Sequence, residues 1–130
     1  MTRRDFIYRS AILGAGASLS PMLVRASGKQ VGANDKIRIG LIGCNGMGFS
    51  NLTSFLRNSE VECIALADID QGVLDRRAAE VEKIQGKKPK GLYKDWRHLI
   101  DNKDVDVVIV GTPDHWHCLQ MVAACEAGKD

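Results

Sequence analysis

The feature that most constrains this chain is an apolar strand that runs directly into a glycine-rich turn. Residues 36–48 read K-I-R-I-G-L-I-G-C-N-G-M-G. The strand at 36–42 is too apolar to have one face in water, which predicts a central parallel strand with helices on both sides. A helix is predicted over 47–58. The turn between them leaves backbone N–H groups free at a helix start, where the helix dipole favours a phosphate group. Its glycines are Gly43, Gly46 and Gly48.

An acidic residue at the end of the next strand sharpens this interpretation. The apolar strand Val61–Ala67 ends in Asp68, twenty-five residues after Gly43. The dinucleotide-binding fingerprint places an acidic residue about 20 residues beyond its glycines, where the carboxylate hydrogen-bonds the adenosine ribose. A carboxylate there repels a 2′-phosphate, so the pattern favours NAD over NADP. The alternative is that Asp68 only ends the strand or caps a helix.

The turn departs from the fingerprint at one position. When G-x-G-x-x-G is matched onto Gly43–Gly48, Asn45 stands where the second glycine belongs. Asn is the residue other than glycine that best tolerates a positive φ, so we expect the turn still to form.

The first 26 residues form a segment of a different kind. Thr2-Arg3-Arg4-Asp5-Phe6-Ile7 resembles the twin-arginine export motif, and a modestly apolar run over 11–24 follows it. This run is shorter than the roughly 18–20 apolar residues of a membrane span, so it is typical of a signal h-region. We therefore expect a signal segment over 1–26, a linker over 27–35 and a periplasmic or envelope location. A cytosolic leader, a short anchor or an uncleaved, tethered form are the alternatives.

Charge gives no indication of a nucleic-acid or membrane partner. The whole chain carries 18 Lys and Arg against 16 Asp and Glu, but without residues 1–26 the balance is 14 against 15. A net charge near −1 leaves no electrostatic footprint for nucleic acid or an anionic membrane. The cysteines lack C-x-x-C spacing and lie in apolar settings, so all are expected to be buried free thiols. They are Cys44, Cys63, Cys118 and Cys125.

The rest of the chain alternates helices and strands. Asp70 is placed to cap a helix over 72–84, and Gly86 is placed to end it. A short strand around 92–93, a helical turn over 95–100, a buried strand over 105–110 and a helix over 116–127 are predicted next. Alternating strands and helices of this kind predict an α/β fold with a parallel sheet.

The last predicted strand leads into Gly111-Thr112-Pro113-Asp114-His115-Trp116-His117. In open parallel sheets ligands bind outside the carboxyl ends of the strands, so this segment is expected across the crevice from the glycine turn. His115 and His117 are two residues apart with no carboxylate or thiol cluster nearby, which argues against zinc. Thr112 and Pro113 are expected to shape the nicotinamide-side wall, with His117 near the helix start. Trp116 is either part of this wall or a core residue.

Taken in order, five motifs resemble the N-terminal domain of the Gfo/Idh/MocA oxidoreductases, the family of glucose-fructose oxidoreductase and inositol dehydrogenase. They are G-L-I-G-C-N-G-M-G, A-D-I-D, Y-K-D-W-R-H-L, D-V-D-V-V-I-V-G-T-P-D-H-W-H and E-A-G-K, which run from about Lys36 to the last residue. The resemblance implies a Rossmann-type doubly wound parallel sheet over 36–130, incomplete, followed in the family by a larger α/β domain. That domain binds substrate and often mediates oligomerisation, which implies a homo-oligomeric parent.

The resemblance also implies the cofactor site. The turn would meet the pyrophosphate, Asp68 and its neighbour the adenosine ribose, and the segment after the last strand the nicotinamide side. The residues expected to bind the dinucleotide are Gly43, Cys44, Asn45, Gly46, Met47, Gly48, Asp68, Ile69, Gly111, Thr112, Pro113, His115 and His117. No metal ligand is expected.

Three functional hypotheses follow from the resemblance. The first is a parent oxidoreductase that transfers hydride to or from a sugar, cyclitol or similar polyol. The second is an NAD-dependent glycoside hydrolase of the same fold, although those enzymes tend to have Trp where this chain has Asp114. The third is a catalytically inactive nucleotide-binding fragment. A methyltransferase shares the glycine turn, but the Thr-Pro-Asp-His-Trp-His segment has no role in that fold.

The catalytic lysine of the family lies beyond the residues present. Family members continue from the glycine-lysine turn, matched here by Gly128-Lys129, into a strand that ends in Glu-Lys-Pro and carries a proton-relay lysine. The sequence stops at Asp130. No catalytic residue is therefore predicted within it, and we expect a truncated gene product or a partial sequence of a longer oxidoreductase, inactive as it stands. The strand at 105–110 is expected to form an apolar sheet edge.

Overall fold

The computed structural model describes residues 36–130, which form a four-stranded parallel sheet with helices on both faces. In chain order the elements are β1 (Ile37–Ile42), α1 (Gly46–Phe55), β2 (Val61–Ala67), α2 (Gln71–Gln85), β3 (Gly91–Tyr93), α3 (Trp96–Asp101), β4 (Val107–Val110) and α4 (Asp114–Glu126). The strand order is β3-β2-β1-β4, and every neighbouring pair is parallel. The Rossmann-type doubly wound fold is confirmed. The predicted signal segment and linker lie outside the described residues.

The sheet is buried between two apolar layers, as its sequence predicts. Helices α1 and α2 pack on one face, where Leu41, Leu52 and Leu74 belong to one core cluster. Helices α3 and α4 pack on the other face, where Ile42 and Leu99 belong to the second cluster. The strand order explains this arrangement: right-handed crossovers from β1 to β2 to β3 run in one direction and place α1 and α2 on one face, whereas the return from β3 to β4 places α3 on the other.

Helix α2 begins and ends at the residues that the sequence indicates. The Asp70 side chain accepts hydrogen bonds from the backbone N–H groups of Gly72 and Val73, which cap the helix start. Gly86 adopts the left-handed conformation at φ 76° and ends the helix. Helix α1 is shorter than predicted, because after Phe55 the chain continues in i→i−3 turns at Arg57 and Asn58.

Strand β4 is shorter and less buried than predicted. It begins at Val107, and each of its residues is half-buried because β4 is an edge of the sheet. The Arg38 N–H donates to the Asp106 carboxylate at 3.0 Å, so a side chain takes the place of a backbone acceptor at this point. The outer side of β4 also carries hydrogen bonds to Asp130, whose N–H donates to Asp106 O and whose carbonyl accepts from Val108 N–H. The expected apolar edge is therefore partly paired.

The cysteine prediction is half wrong. Cys44 and Cys63 are buried free thiols, and burial raises the pKa of each to about 12. Cys118 and Cys125 are free but exposed, because they lie on the side of α4 that faces away from the sheet. On that helix only Gln120 and Ala124 are fully buried.

Candidate dinucleotide-binding site

The glycine-rich turn lies at the carboxyl end of β1 and is fixed to the neighbouring strand. Gly43 donates its N–H to the Ala67 carbonyl at 2.9 Å, where β2 ends. Gly43 and Gly46 adopt positive φ values of 82° and 51°, which a residue with a Cβ adopts only with strain. Asn45 does not, since its φ is −105°. The turn forms with Asn at this position, but not because Asn tolerates a positive φ: Gly43 and Gly46 make the turn, and Asn45 needs no glycine-like backbone.

Gly43 in the turn, Gly48 in α1 and Gly111 in the β4–α4 loop allow these three segments to approach one another closely. A Cβ added at Gly48 would lie 2.4 Å from the Gly43 carbonyl oxygen, and one added at Gly111 would lie 2.5 Å from the Gly48 Cα. Both distances are shorter than any non-bonded contact of a real Cβ. Gly46 differs, because a Cβ there would meet no atom within 4 Å. Gly48 and Gly111 therefore serve packing, whereas the space beside Gly46 is open.

Asp68 holds the turn as well as lining the cleft beside it. Its Oδ2 accepts a hydrogen bond from the Cys44 N–H at 2.8 Å, and its Oδ1 accepts one from the Asp70 N–H at 3.0 Å. Two backbone donors thus fix the carboxylate in place at the end of β2. Asp68 therefore has the structural role at the strand end that was the alternative prediction for it. Its carboxylate also borders the cleft.

The opposite wall is built on the loop that follows β4. The Thr112 hydroxyl donates to Gln120 Oε1 at 2.6 Å, and the Thr112 carbonyl lies 2.6 Å from His117 Nε2. A carbonyl accepts only, so Nε2 carries the proton in this contact. Gln120 is 2% exposed, and His117 is half-buried. Both side chains hold Thr112 in one position beside Pro113.

A cleft of about 570 Å³ joins these walls at the carboxyl edge of the sheet. This volume lies within the range usual for small-molecule sites. Of the residues expected from sequence, seven line it: Gly43, Asn45, Asp68, Ile69, Gly111, Thr112 and Pro113. Cys44 is buried beneath the turn, Gly46 and Met47 are exposed at the start of α1, Gly48 packs against Gly111, and His117 supports Thr112. His115 is exposed beside Trp116 and does not line the cleft.

Sequence reasoning missed several residues of the cleft. The segment that follows β3 contributes a wall, in which the Arg97 guanidinium lies 4.7 Å from the centroid of the Trp96 ring. The Arg97 N–H donates to Asp95, which lowers the pKa of the Asp95 carboxyl. Trp116 is 43% exposed and lines the cleft, so it is not a core residue. The missed residues are Lys94, Asp95, Trp96, Arg97 and Gln120, together with Ile42 and Ala67 at the ends of β1 and β2. The first four directly follow a parallel strand, a signal that could have found them.

Residues 36–130 contain no group of three or more His, Cys, Asp or Glu side chains placed to hold a metal ion. Among the same residues, no helix combines the length and the apolar character needed to cross a membrane.

Comparisons with known proteins identify the family of this chain. Residues 37–130 match the model of the Gfo/Idh/MocA oxidoreductase family, described as its NAD-binding Rossmann fold. The chain belongs to this family. Residues 37–130 are therefore the NAD-binding Rossmann domain of a Gfo/Idh/MocA protein.

The chain spans only about a quarter of the length of the relatives that it matches. A glycosyl hydrolase family 109 protein of Stenotrophomonas maltophilia is 33% identical over 133 aligned residues, which cover 98% of this chain and 28% of the relative. The crystal structure of an NAD binding oxidoreductase from Klebsiella pneumoniae is 33% identical, with a TM-score of 0.61 over 72% of this chain and 26% of that one. Scyllo-inositol dehydrogenase from Lactobacillus casei, with bound NAD(H) and scyllo-inositol, shares the fold at 22% identity and a TM-score of 0.64, over 73% of this chain and 26% of that one.

Proposed function

We propose that the glycine-rich turn and the start of α1 hold the pyrophosphate of NAD. The observation that carries this proposal is the open space beside Gly46, next to the Asn45 and Gly46 N–H groups, for which residues 36–130 supply no acceptor. Free N–H groups at a helix start bind phosphate through hydrogen bonds and through the helix dipole. The shape and chemistry of the turn therefore fit the cofactor of the family.

Asp68 is proposed to bind the adenosine ribose and to favour NAD over NADP. Its two oxygens each accept one backbone hydrogen bond, and a carboxylate oxygen can accept more than one. The ribose hydroxyls of NAD supply donors to the remaining lone pairs. A 2′-phosphate would instead place like charges close together, which is unfavourable at this partly solvated edge.

The loop over 111–113 is proposed to form the nicotinamide side of the site. Thr112 is held by Gln120 through its hydroxyl and by His117 through its carbonyl, so this wall is rigid before a ligand binds. NAD, when bound, supplies the hydride acceptor or donor. The described residues bind and orient the cofactor, and we assign no proton-transfer residue among them.

The activity that the fold and family support best is hydride transfer on a sugar, cyclitol or related polyol, in a protein that contains this domain. The proposal rests on the match to an oxidoreductase family and on the shared fold of scyllo-inositol dehydrogenase. A homo-oligomeric whole protein is part of the same proposal, and sedimentation of that protein tests it. The binding step is tested on the chain itself, and the reaction on the whole protein.

A glycoside hydrolase is the second candidate, and one observation favours it. The relative from Stenotrophomonas maltophilia, similar over nearly the whole chain, is a glycosyl hydrolase family 109 protein. Product analysis of the whole protein with a nitrophenyl glycoside and with the free sugar separates the two activities. Release of the free sugar without net NADH formation supports the hydrolase, whereas an oxidised sugar with stoichiometric NADH supports the oxidoreductase.

The binding proposal is tested by titrating the chain with NADH and NADPH. We expect NADH to bind more tightly, and Asp68→Asn to reduce this preference about tenfold, which corresponds to about 1.4 kcal/mol of lost repulsion. Asn keeps one acceptor oxygen, which retains the bond from the Cys44 N–H that holds the turn, and it gives up the bond from the Asp70 N–H. Asp75→Asn removes the same charge from an exposed position of α2 and is the control. Equal binding of both cofactors by the unmodified chain would contradict the role of Asp68.

Export through the twin-arginine route to the periplasm or cell envelope is a further proposal, supported by Arg3-Arg4 and the apolar run that follows them. A fluorescent reporter fused behind residues 1–35 tests it in a bacterium with an intact twin-arginine translocase. Export that is lost when Arg3 and Arg4 are both changed to Lys supports the proposal. A reporter that stays in the cytoplasm in both cases contradicts it.

A further inference from the structure

Arg77 reaches from α2 back to the glycine-rich turn and is fixed there on several sides. Its Nε donates to the Cys44 carbonyl at 3.1 Å, and its Nη2 lies 3.3 Å from Asn45 Oδ1. The guanidinium lies 4.1 Å from the centroid of the Phe49 ring, and its Nη1 pairs with Glu80 at 2.7 Å. A planar, always charged group with this many contacts has little freedom to move.

The contact with the Cys44 carbonyl sets the direction of one N–H group. That carbonyl and the Asn45 N–H belong to the same peptide unit, which is trans, so the two bonds point in opposite directions. Arg77 draws the carbonyl toward α2, and the Asn45 N–H therefore points away from α2. The backbone N–H of Cys44 is fixed as well, because it donates to Asp68.

Asn45 lines the cleft, and within residues 36–130 its N–H has no acceptor. The peptide unit that carries this N–H is polarised by the positive charge on its carbonyl side. Hydrogen bonds in such a chain strengthen one another. The Asn45 N–H is therefore both aimed and activated by a residue that does not line the cleft itself.

The same contacts explain how the turn tolerates Asn where the fingerprint has glycine. The Asn45 backbone is extended and needs no glycine, and its side-chain oxygen is an acceptor for Arg76 and Arg77 at 3.4 and 3.3 Å. The substituted position thus gains a link to α2. A glycine there would leave the turn without this link.

We propose that Arg77 is a positioning residue for the dinucleotide: through the Cys44–Asn45 peptide it aims the Asn45 N–H at the pyrophosphate. This inference rests on the proposed function of the turn. It differs from a general charge effect, because it requires the contact with the Cys44 carbonyl and not only a nearby cation.

The test compares Arg77→Met with Arg76→Met by calorimetric titration with NADH, ADP and adenosine. Both variants lose one positive charge from α2, but only the first loses the contact with Cys44. We expect Arg77→Met to weaken NADH and ADP about tenfold, the effect of one well-aimed hydrogen bond to a charged group, and adenosine less than twofold. Arg76→Met is expected to weaken all three less than threefold. Equal losses in both variants, or an equal loss for adenosine, would overturn the inference.

Two measurements keep the test decisive if Arg77→Met does not fold. Arg77→Lys retains one donor and is expected to recover part of the affinity for ADP. In the unmodified chain, the Asn45 amide proton is expected to move downfield in the NMR spectrum when ADP is added, as a new hydrogen bond requires. An Asn45 signal that does not move while ADP binds rules the inference out. Failure of the unmodified chain to bind NADH at all would contradict the proposed function instead.

Discussion

Replacement of Gly48 by Ala tests the close approach on which the site is built. The added Cβ would lie 2.4 Å from the Gly43 carbonyl oxygen and 3.0 Å from the Gly111 Cα, and both neighbours are backbone atoms. An ordinary contact begins at 3.4 Å, so α1 must move by about 1 Å from the turn. Overpacking in a well-packed interior costs about 1–3 kcal/mol, and rigid backbone neighbours place this site at the upper end. We expect a loss of about 3 kcal/mol, a large fraction of the roughly 5–15 kcal/mol that stabilises a domain.

Urea unfolding followed by circular dichroism measures this loss as a lower midpoint with an unchanged slope. Gly86→Ala is the control, because a Cβ at Gly86 would meet no atom within 4 Å and Gly86 lies at the far end of α2 with a φ of 76°. Its cost is the left-handed backbone alone, about 1–2 kcal/mol. A Gly48→Ala variant that loses less stability than Gly86→Ala would show that close backbone packing does not require glycine at position 48.

Two predictions concern the thiols. A thiol reagent added to the native chain is expected to modify the two exposed cysteines, Cys118 and Cys125, quickly, and the two buried ones only after unfolding; fast modification of all four would contradict the structure. Above about pH 9 the unfolded chain releases the protons of Cys44 and Cys63, whereas the folded chain keeps them up to about pH 12. Stability is therefore expected to fall as the pH rises through this window, by about 1.4 kcal/mol per pH unit for each thiol. Urea unfolding from pH 8 to pH 11 measures the slope, and Cys63→Ala is expected to halve it.

The elements that sequence predicted well are those set by local pattern. Strand β2 was predicted with its observed bounds, because a run of apolar residues between polar ones leaves little choice. Helix α2 was predicted to within one residue, because Asp70 and Gly86 act on their own neighbours in the chain. The order of these elements with the glycine turn was enough to predict the doubly wound fold.

The elements that sequence predicted less well depend on distant partners. Strand β4 starts late because Asp106 accepts hydrogen bonds from Arg38, a residue 68 positions away. The exposure of Cys118 depends on which side of α4 meets the sheet, and a helix with apolar residues on several sides does not reveal that.

The same distinction between local pattern and distant contacts applies to the residues of the site. Gly43, Asp68 and Thr112 were found from motif and strand ends, whereas the two residues that support the turn and its opposite wall were missed. Arg77 lies on a helix amid other charged residues, and Gln120 is a buried polar residue in the middle of a helix. Their roles depend on contacts with Cys44 and Thr112 that no spacing rule encodes.

Binding of the dinucleotide at the open turn beside Gly46 can be measured by tryptophan fluorescence during titration with NADH. Both tryptophans of the chain, Trp96 and Trp116, line the cleft, and their emission overlaps the absorption of the reduced nicotinamide. We expect saturable quenching that ADP reverses, weakened at least tenfold in Gly46→Ala and unchanged in Gly86→Ala, although both glycines have a positive φ and open space for a Cβ. Absence of quenching, or quenching that is equal in both variants, would contradict binding at this turn.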